Sequence, residues 1–152
     1  MTQLIFQYCP KITVFSRDGS SVLLCRRKDE ADYDGTFSLI GGKMEHSDIS
    51  IEEALRREKT EEVGDAFKVR ILLHFTVNVL FVKADGNHMI LPHHYARHVA
   101  GVPVLNEEYS EAAWVSLDEL PEFGPKIENI AWIAPMLKRL DGAVGDDDYV
   151  LI

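Results

Sequence analysis

Arg57-Glu58-Lys59-Thr60-Glu61-Glu62-Val63-Gly64 is the stretch on which the reading of this chain turns. On a helix, Glu58, Glu61 and Glu62 stand at i, i+3 and i+4, so their carboxylates share one face. Like charges at that spacing repel by roughly a few tenths of a kcal/mol per exposed pair. Glutamates near a helix C-terminus also face the negative end of the macrodipole. A hard divalent cation removes both penalties. Mg²⁺ takes oxygen ligands, keeps several waters and is commonly shared with substrate phosphates. On spacing alone the plainer reading is a solvated acidic face flanked by Arg56, Arg57 and Lys59.

Working outward, Ser50 to Val63 is the best helix. Ser50 serves as its N-cap, Glu53 three residues later completes a capping box, and Gly64 fits the C′ stop. Ile51, Ala54 and Leu55 make the apolar stripe. Upstream, Phe37 to Ile40 is a short strand running into Gly41-Gly42. Ile12 to Phe15 and Ser21 to Cys25 form a hairpin about Asp18-Gly19. Lys28 to Gly35 and Lys43 to Ile49 are polar loops. Downstream, Val69 to Val82 is one long strand or two, and Asp85-Gly86-Asn87 turns the chain into a returning strand, His88 to Ala100. Pro92 marks an edge or bulge in it. Ala112 to Ser116 is a further strand. Ile127 to Leu140 is a second amphipathic helix, with Pro135 as a candidate break. This order predicts an α+β or α/β sandwich.

Composition bounds the function. The 152 residues are 46% hydrophobic and 27% charged, the balance of one globular domain. We expect that domain over 1–140 and an acidic tail over 141–152, frayed from Asp141 to Asp148. The apolar run Val79 to Val82 is far too short to span a bilayer, and Met1 to Phe15 lacks the pattern of a signal peptide. Two cysteines, Cys9 and Cys25, are too few for a disulfide framework. They read as reduced, buried hydrophobes in a cytoplasmic protein. The net charge of −9 argues against a nucleic-acid polymer or an anionic membrane as partner. It leaves room for a small anionic substrate where metal inverts the local charge.

Gly42-Lys43-Met44-Glu45-His46-Ser47-Asp48, then Arg57-Glu58, Glu61-Glu62 and Gly64, resembles the Nudix box. That pattern reads Gly, five residues, Glu, seven residues, Arg-Glu, a bulky apolar residue, any residue, Glu-Glu, any residue, Gly, apolar. Gly35 to Gly42 resembles the strand leading into the box. Glu111 to Leu120 resembles the family's late strand and connector. The likeness extends from about Ile12 to Leu140. Three departures stand out. Asp48 replaces the first Glu, eight residues rather than seven separate it from Arg57, and Lys59 and Asp65 occupy bulky apolar positions. We expect Lys59 to reach outward along its stem.

The resemblance implies an α/β fold, an α/β/α sandwich on a mixed β-sheet. It implies Mg²⁺-dependent hydrolysis of a diphosphate bond in a nucleotide-like small molecule, with Mn²⁺ able to substitute. Glu58, Glu61, Glu62 and the Gly42 carbonyl would hold metal. Glu58, Glu61 and Arg57 would be catalytic, Glu58 helping to deprotonate water and Arg57 holding the glutamates in place. Arg27 would meet phosphate, and Glu108 would lie at the substrate. Arg26 is a further candidate to touch phosphate, and Glu107, Glu108 or Glu111 could supply the metal-binding glutamate that family members often add from a later loop, although a solvated loop is the plainer reading. His93, His94 and His98 read as edge-strand polar residues rather than ligands. Phe37, Phe75, Phe81, Tyr95 and Trp114 read as core rather than base-stacking platforms. A homodimer is an allowed assembly. Two other readings compete: a non-hydrolytic Nudix domain that binds a nucleotide or protein, and an isopentenyl diphosphate type isomerase. The isomerase needs a cysteine beside the box, and Cys9 and Cys25 lie upstream.

Overall fold

Strands with runs of β-branched and aromatic residues outweigh the helices, and the computed structural model describes residues 2–152. In chain order they are β1 (Phe6–Tyr8), β2 (Lys11–Phe15), β3 (Ser21–Arg27), β4 (Phe37–Ser38), β5 (Ile40–Gly41), β6 (Lys68–Val82), β7 (His88–Ala100), β8 (Tyr109–Ser116) and β9 (Tyr149–Leu151). Helix α1 (Ile51–Val63) follows β5, and helix α2 (Ile130–Lys138) follows β8.

One mixed sheet results. β2 runs parallel to β7, while β6 pairs antiparallel with β7 and with β9. β2 and β3 touch only where Phe15 meets Val22 and then splay apart. The segment 37–41 fills that gap, β4 pairing with β3 and β5 with β2. The Gly41-Gly42 corner therefore leaves the middle of the sheet, not its rim.

Alternation along the strands divides the apolar residues between two faces. Ile12, Val14, Leu23, Cys25, Val69 and Ile71 pack with Leu55 and Val63 of α1. Phe15, Val22, Leu24, Leu72, Tyr95 and Val115 pack with Ile130, Ile133, Ala134 and Leu137 of α2. This is the α/β/α sandwich expected.

Several local expectations need correction. Ser50 Oγ caps α1 by accepting from the Glu53 N–H at 3.1 Å, but Glu53 Oε2 accepts from Ile49 N, not from the cap residue. Ile51 stays 37% exposed, and the buried face of α1 runs through Ala54, Leu55, Lys59, Glu62 and Val63. Lys59 does not reach outward. It is fully buried, with Nζ 3.4 Å from the carbonyls of Gly64 and Asp65 at the helix end. Pro92 lies in an interior strand, beside the break at Cys9-Pro10 that separates β1 from β2. Pro135 sits within an unbroken α2.

The last residues are not a frayed tail. Tyr149–Leu151 pairs with β6, and Ile152 exchanges both backbone hydrogen bonds with Val69. The Ile152 side chain is buried in the α1-side core. Asp141 is gripped by Tyr95, Arg97 and Lys138. Apolar residues after the acidic run find an open sheet edge, and β pairing captures them. Ile152→Ala should therefore cost about 2 to 5 kcal/mol in denaturant unfolding. A loss below about 0.5 kcal/mol, the level of a surface substitution, would show that the strand is dispensable.

Candidate active site

The site is built at the Gly41-Gly42 corner. Gly41 has φ +121°, a conformation glycine adopts without steric cost. Its N–H donates to Glu62 Oε2 at 2.6 Å, and its carbonyl accepts from Lys11 Nζ at 2.8 Å. A Cβ at Gly42 would stand 2.5–2.6 Å from the Glu58 carboxyl atoms. Only glycine lets the helix carboxylate press so close to the loop backbone.

Arg57 organises the adjacent loop. Its Nε and one terminal nitrogen donate to both oxygens of Asp48, at 3.0 and 2.9 Å. The other terminal nitrogen donates to Glu58 Oε1 at 2.8 Å and Glu61 Oε2 at 3.3 Å. Such a two-pronged pair sets geometry as well as energy. Asp48 also accepts the Glu45 N–H at 2.8 Å, and these bonds, Arg57's first, hold its carboxyl down at about 2. The one-residue insertion is thus taken up in the loop, and Asp48 still reaches Arg57.

The three glutamates do not act as one face. Glu58 and Glu62 line a cleft of about 540 Å³, together with Lys11, Gly41 and Gly42. The Glu61 side chain is 55% exposed and turns out toward Arg57. Glu62 is buried. Besides the Gly41 N–H it accepts the Tyr109 hydroxyl at 3.0 Å through Oε1. Burial pushes the Glu62 carboxyl up to about 8, against the lowering pull of Lys11 and the Gly41 N–H. Burial also raises Glu58, opposed by Arg57.

This donor set fits a hard divalent cation. Two carboxylates are strained by burial and by each other's charge, and a glycine backbone lies against one of them. Among the described residues no three acidic, histidine or cysteine side chains converge into a preformed cage. Mg²⁺ does not require one, because it keeps waters and shares substrate oxygens. Glu58, Glu62 and the backbone oxygens of the corner are the groups able to hold it. Glu61 reaches it only by turning inward or through water.

Arg27 and Glu108 both line the cleft. An extra residue in β8, Ser110, lies opposite the Arg26/Arg27 step and resets the register there. Arg27 donates to the Asp32 carbonyl and pairs with Glu30 at 3.1 Å. Arg26 instead lies over Phe37 and pairs with Glu111. The histidines do not converge. His93 faces the cleft, and burial holds it down at about 4, mostly neutral. His94 bonds the Leu72 carbonyl, and His98 stacks on Phe67.

Sequence reasoning missed Lys11 and Tyr109. A lysine opening an otherwise apolar strand was a usable signal for the first. Nothing in the spacing links Tyr109 to a glutamate 47 residues earlier.

Comparison with known proteins gives the same frame. The model of the NUDIX domain family matches residues 8–140. The chain is 30% identical over 122 residues to the nucleoside triphosphatase NudI of Escherichia fergusonii, covering 76% of this chain and 84% of that protein. A MutT NUDIX hydrolase from Burkholderia pseudomallei superposes with TM-score 0.67 at 26% identity, covering 86% and 97% of the two chains. The MutT protein of Methanosarcina mazei Go1 superposes with TM-score 0.72 at 22% identity, covering 93% and 99%.

Glu62 sets a pH dependence in the metal-free protein. Its folded value, about 8, lies above the ordinary 4.5, so the folded chain retains a proton the unfolded chain has released. The stability from that proton is full below about pH 4.5 and is lost as pH rises through about 8. Thermal melts in excess chelator from pH 4.5 to 8.5 should show this decline, and Glu62→Gln should flatten it. An equal decline in both proteins would move the cause elsewhere.

Proposed function

This chain belongs to the Nudix family of hydrolases, and on that premise we propose Mg²⁺-dependent cleavage of a diphosphate linkage in a nucleoside triphosphate or related nucleoside diphosphate derivative. The observation that carries the reading is the corner where the Glu58 and Glu62 carboxylates meet the Gly41-Gly42 backbone in a cleft. Its likeness to a nucleoside triphosphatase supports the choice of substrate class.

When bound, the cation would polarise the diphosphate and lower the pKa of a water molecule. The chain's own residues do the rest. Glu62, held at both oxygens, presents its remaining lone pairs in one direction without reorganisation. Glu58 lies in the cleft with its carboxyl raised by burial, which suits it to accept a proton from the attacking water. Arg57 keeps Glu58 against the corner, and Asp48 keeps Arg57 in place. Glu61 would then join through water. Lys11, Arg27 and Lys43 line the cleft as cations for phosphate oxygens. Glu108 lines the same cleft, beside Arg27.

The altered first acidic position and the shifted spacing to Arg57 are what would favour a domain that only binds. The two hydrogen bonds that Arg57 donates to Asp48 weaken that support, because the position still orients the box arginine. A cytoplasmic setting belongs to the same reading and draws on Cys9 and Cys25, both free and buried.

Turnover of a nucleoside triphosphate panel with Mg²⁺, read as released phosphate or pyrophosphate, tests the proposal. Excess chelator should abolish it. Glu58→Gln should lower kcat roughly a thousandfold, ~4 kcal/mol of transition-state stabilisation. Asp48→Ala should lower it only about tenfold, since it acts through Arg57. Equal losses would put Asp48 in direct contact with the reaction. No effect from either would remove Glu58 and Asp48 from the reaction, and no turnover of any panel member by the unaltered protein would favour a domain that binds without hydrolysing.

A further inference from the structure

The cleft has a second end whose chemistry differs from the first. We propose that Tyr33 and Phe81 form an aromatic platform on which the base of a nucleotide stacks, making this protein selective for base-bearing phosphates. The inference rests on the reading of the other end as a diphosphate site and names what its substrate must carry.

Three observations converge. Tyr33 and Phe81 come from different elements, loop 28–36 and β6, yet their rings meet with centroids 5.6 Å apart at 43°. Both line the cleft that Glu58 and Glu62 line. Tyr33 is 51% exposed and Phe81 is only partly buried, so neither belongs to a packed core. A ring that keeps an open face can pair with a further planar group in an offset or tilted arrangement.

The loop is held in place at a cost. Tyr33 has φ +59°, a left-handed conformation that a bulky side chain rarely takes. Asp32 Oδ1 accepts from Ala84 N at 3.2 Å, tying the loop across to the β6–β7 hairpin. The Arg27 guanidinium holds the Asp32 carbonyl. Backbone strain kept by surrounding bonds tends to sit where a ligand is clamped. Here it delivers one ring to the mouth of a cleft. Val79, Leu91 and Ile127 continue the apolar wall behind the platform. A molecule with a charged phosphate end and a flat aromatic end matches both ends of the cleft; a sugar phosphate matches one.

Direct binding tests this without turnover. Dissociation constants for purine and pyrimidine nucleoside 5′-monophosphates, and for ribose 5-phosphate, are measured by calorimetry on the full chain with Mg²⁺. The unaltered protein should bind at least one monophosphate roughly tenfold or more tighter than ribose 5-phosphate, the scale of a base–aromatic stack. Phe81→Ala and Tyr33→Gly should bring that ratio toward one while leaving ribose 5-phosphate within about twofold. Tyr33→Gly is the sharper variant, because glycine takes the same backbone conformation freely and a merely structural loop would tolerate it. It also stands alone if Phe81→Ala fails to fold. Tyr33→Phe should keep the ratio, since only the ring face is needed. A ratio near one in the unaltered protein, or one that survives both ring deletions, overturns the platform. Base-dependent binding without hydrolysis overturns the hydrolytic reading alone. Hydrolysis with no base dependence overturns the platform alone.

Discussion

The buried Glu62 carboxylate is the constraint on which the site depends. It ties three elements together, receiving the Gly41 N–H from β5 and the Tyr109 hydroxyl from β8 while standing on α1. Its own backbone carbonyl accepts from Asn106, and the next carbonyl accepts from Val104, so the segment leading to β8 closes over the helix end. An ionisable group at that depth costs stability, and burial near Glu58 raises it toward protonation. An apolar side chain of similar volume would hold the same three elements at lower cost. A residue that makes the fold worse in isolation is expected where the chain binds something, and a cation is the ligand that reverses the penalty.

The same logic applies along α1. Arg57 is the counter-charge that lets Glu58 and Glu61 share a helix, and Asp48 is the counter-charge that keeps Arg57 in the loop. Of the resulting chain of alternating charges only Glu61 is open to solvent, while Asp48, Arg57 and Glu58 are mostly shielded, so the two-pronged contact fixes orientation as well as adding stability. Lys59 works at the other edge of the helix. Its ammonium lies near the Gly64 and Asp65 carbonyls, where positive charge complements the helix dipole. It replaces the apolar anchor expected there with a stem that packs and a head that caps.

The box was legible because its constraint is local. Helix period, capping serine and terminating glycine all act within about four residues, and single-sequence reasoning sees that range. The two-sided core was legible from strand alternation. What stayed hidden is non-local. Tyr109 and Lys11 meet the box only because β5 is wedged between β2 and β3, and no pattern along the chain encodes that. The separation of Glu61 from Glu58 and Glu62 depends on which side of the helix the corner approaches. Pro92 read as an edge because edges tolerate a missing N–H, yet a break in the neighbouring strand tolerates it equally. The residues after Asp148 read as part of an acidic tail because acidic composition dominated the window, while the burial of Ile152 depends on an open edge of β6.

An acidic chain that is to hold an anionic ligand faces a conflict, and the cleft resolves it at short range. The net charge of −9 repels a polyphosphate from afar, but salt screens that repulsion beyond about 8 Å. Inside the cleft Lys11, Arg27, Lys43 and Lys83 stand among Glu30, Asp32, Glu45, Glu58, Glu62 and Glu108. By formal charge these ten residues sum to −2, so no positive field singles out phosphate by itself. One bound divalent cation would bring that local sum to zero. Charge can then license entry of any phosphate but cannot rank one against another. Discrimination falls to the walls that do not titrate, where shape and apolar contact decide which molecule stays. In this protein those walls are the aliphatic and aromatic side chains of β6, β7 and loop 28–36, at the end of the cleft away from the glutamates.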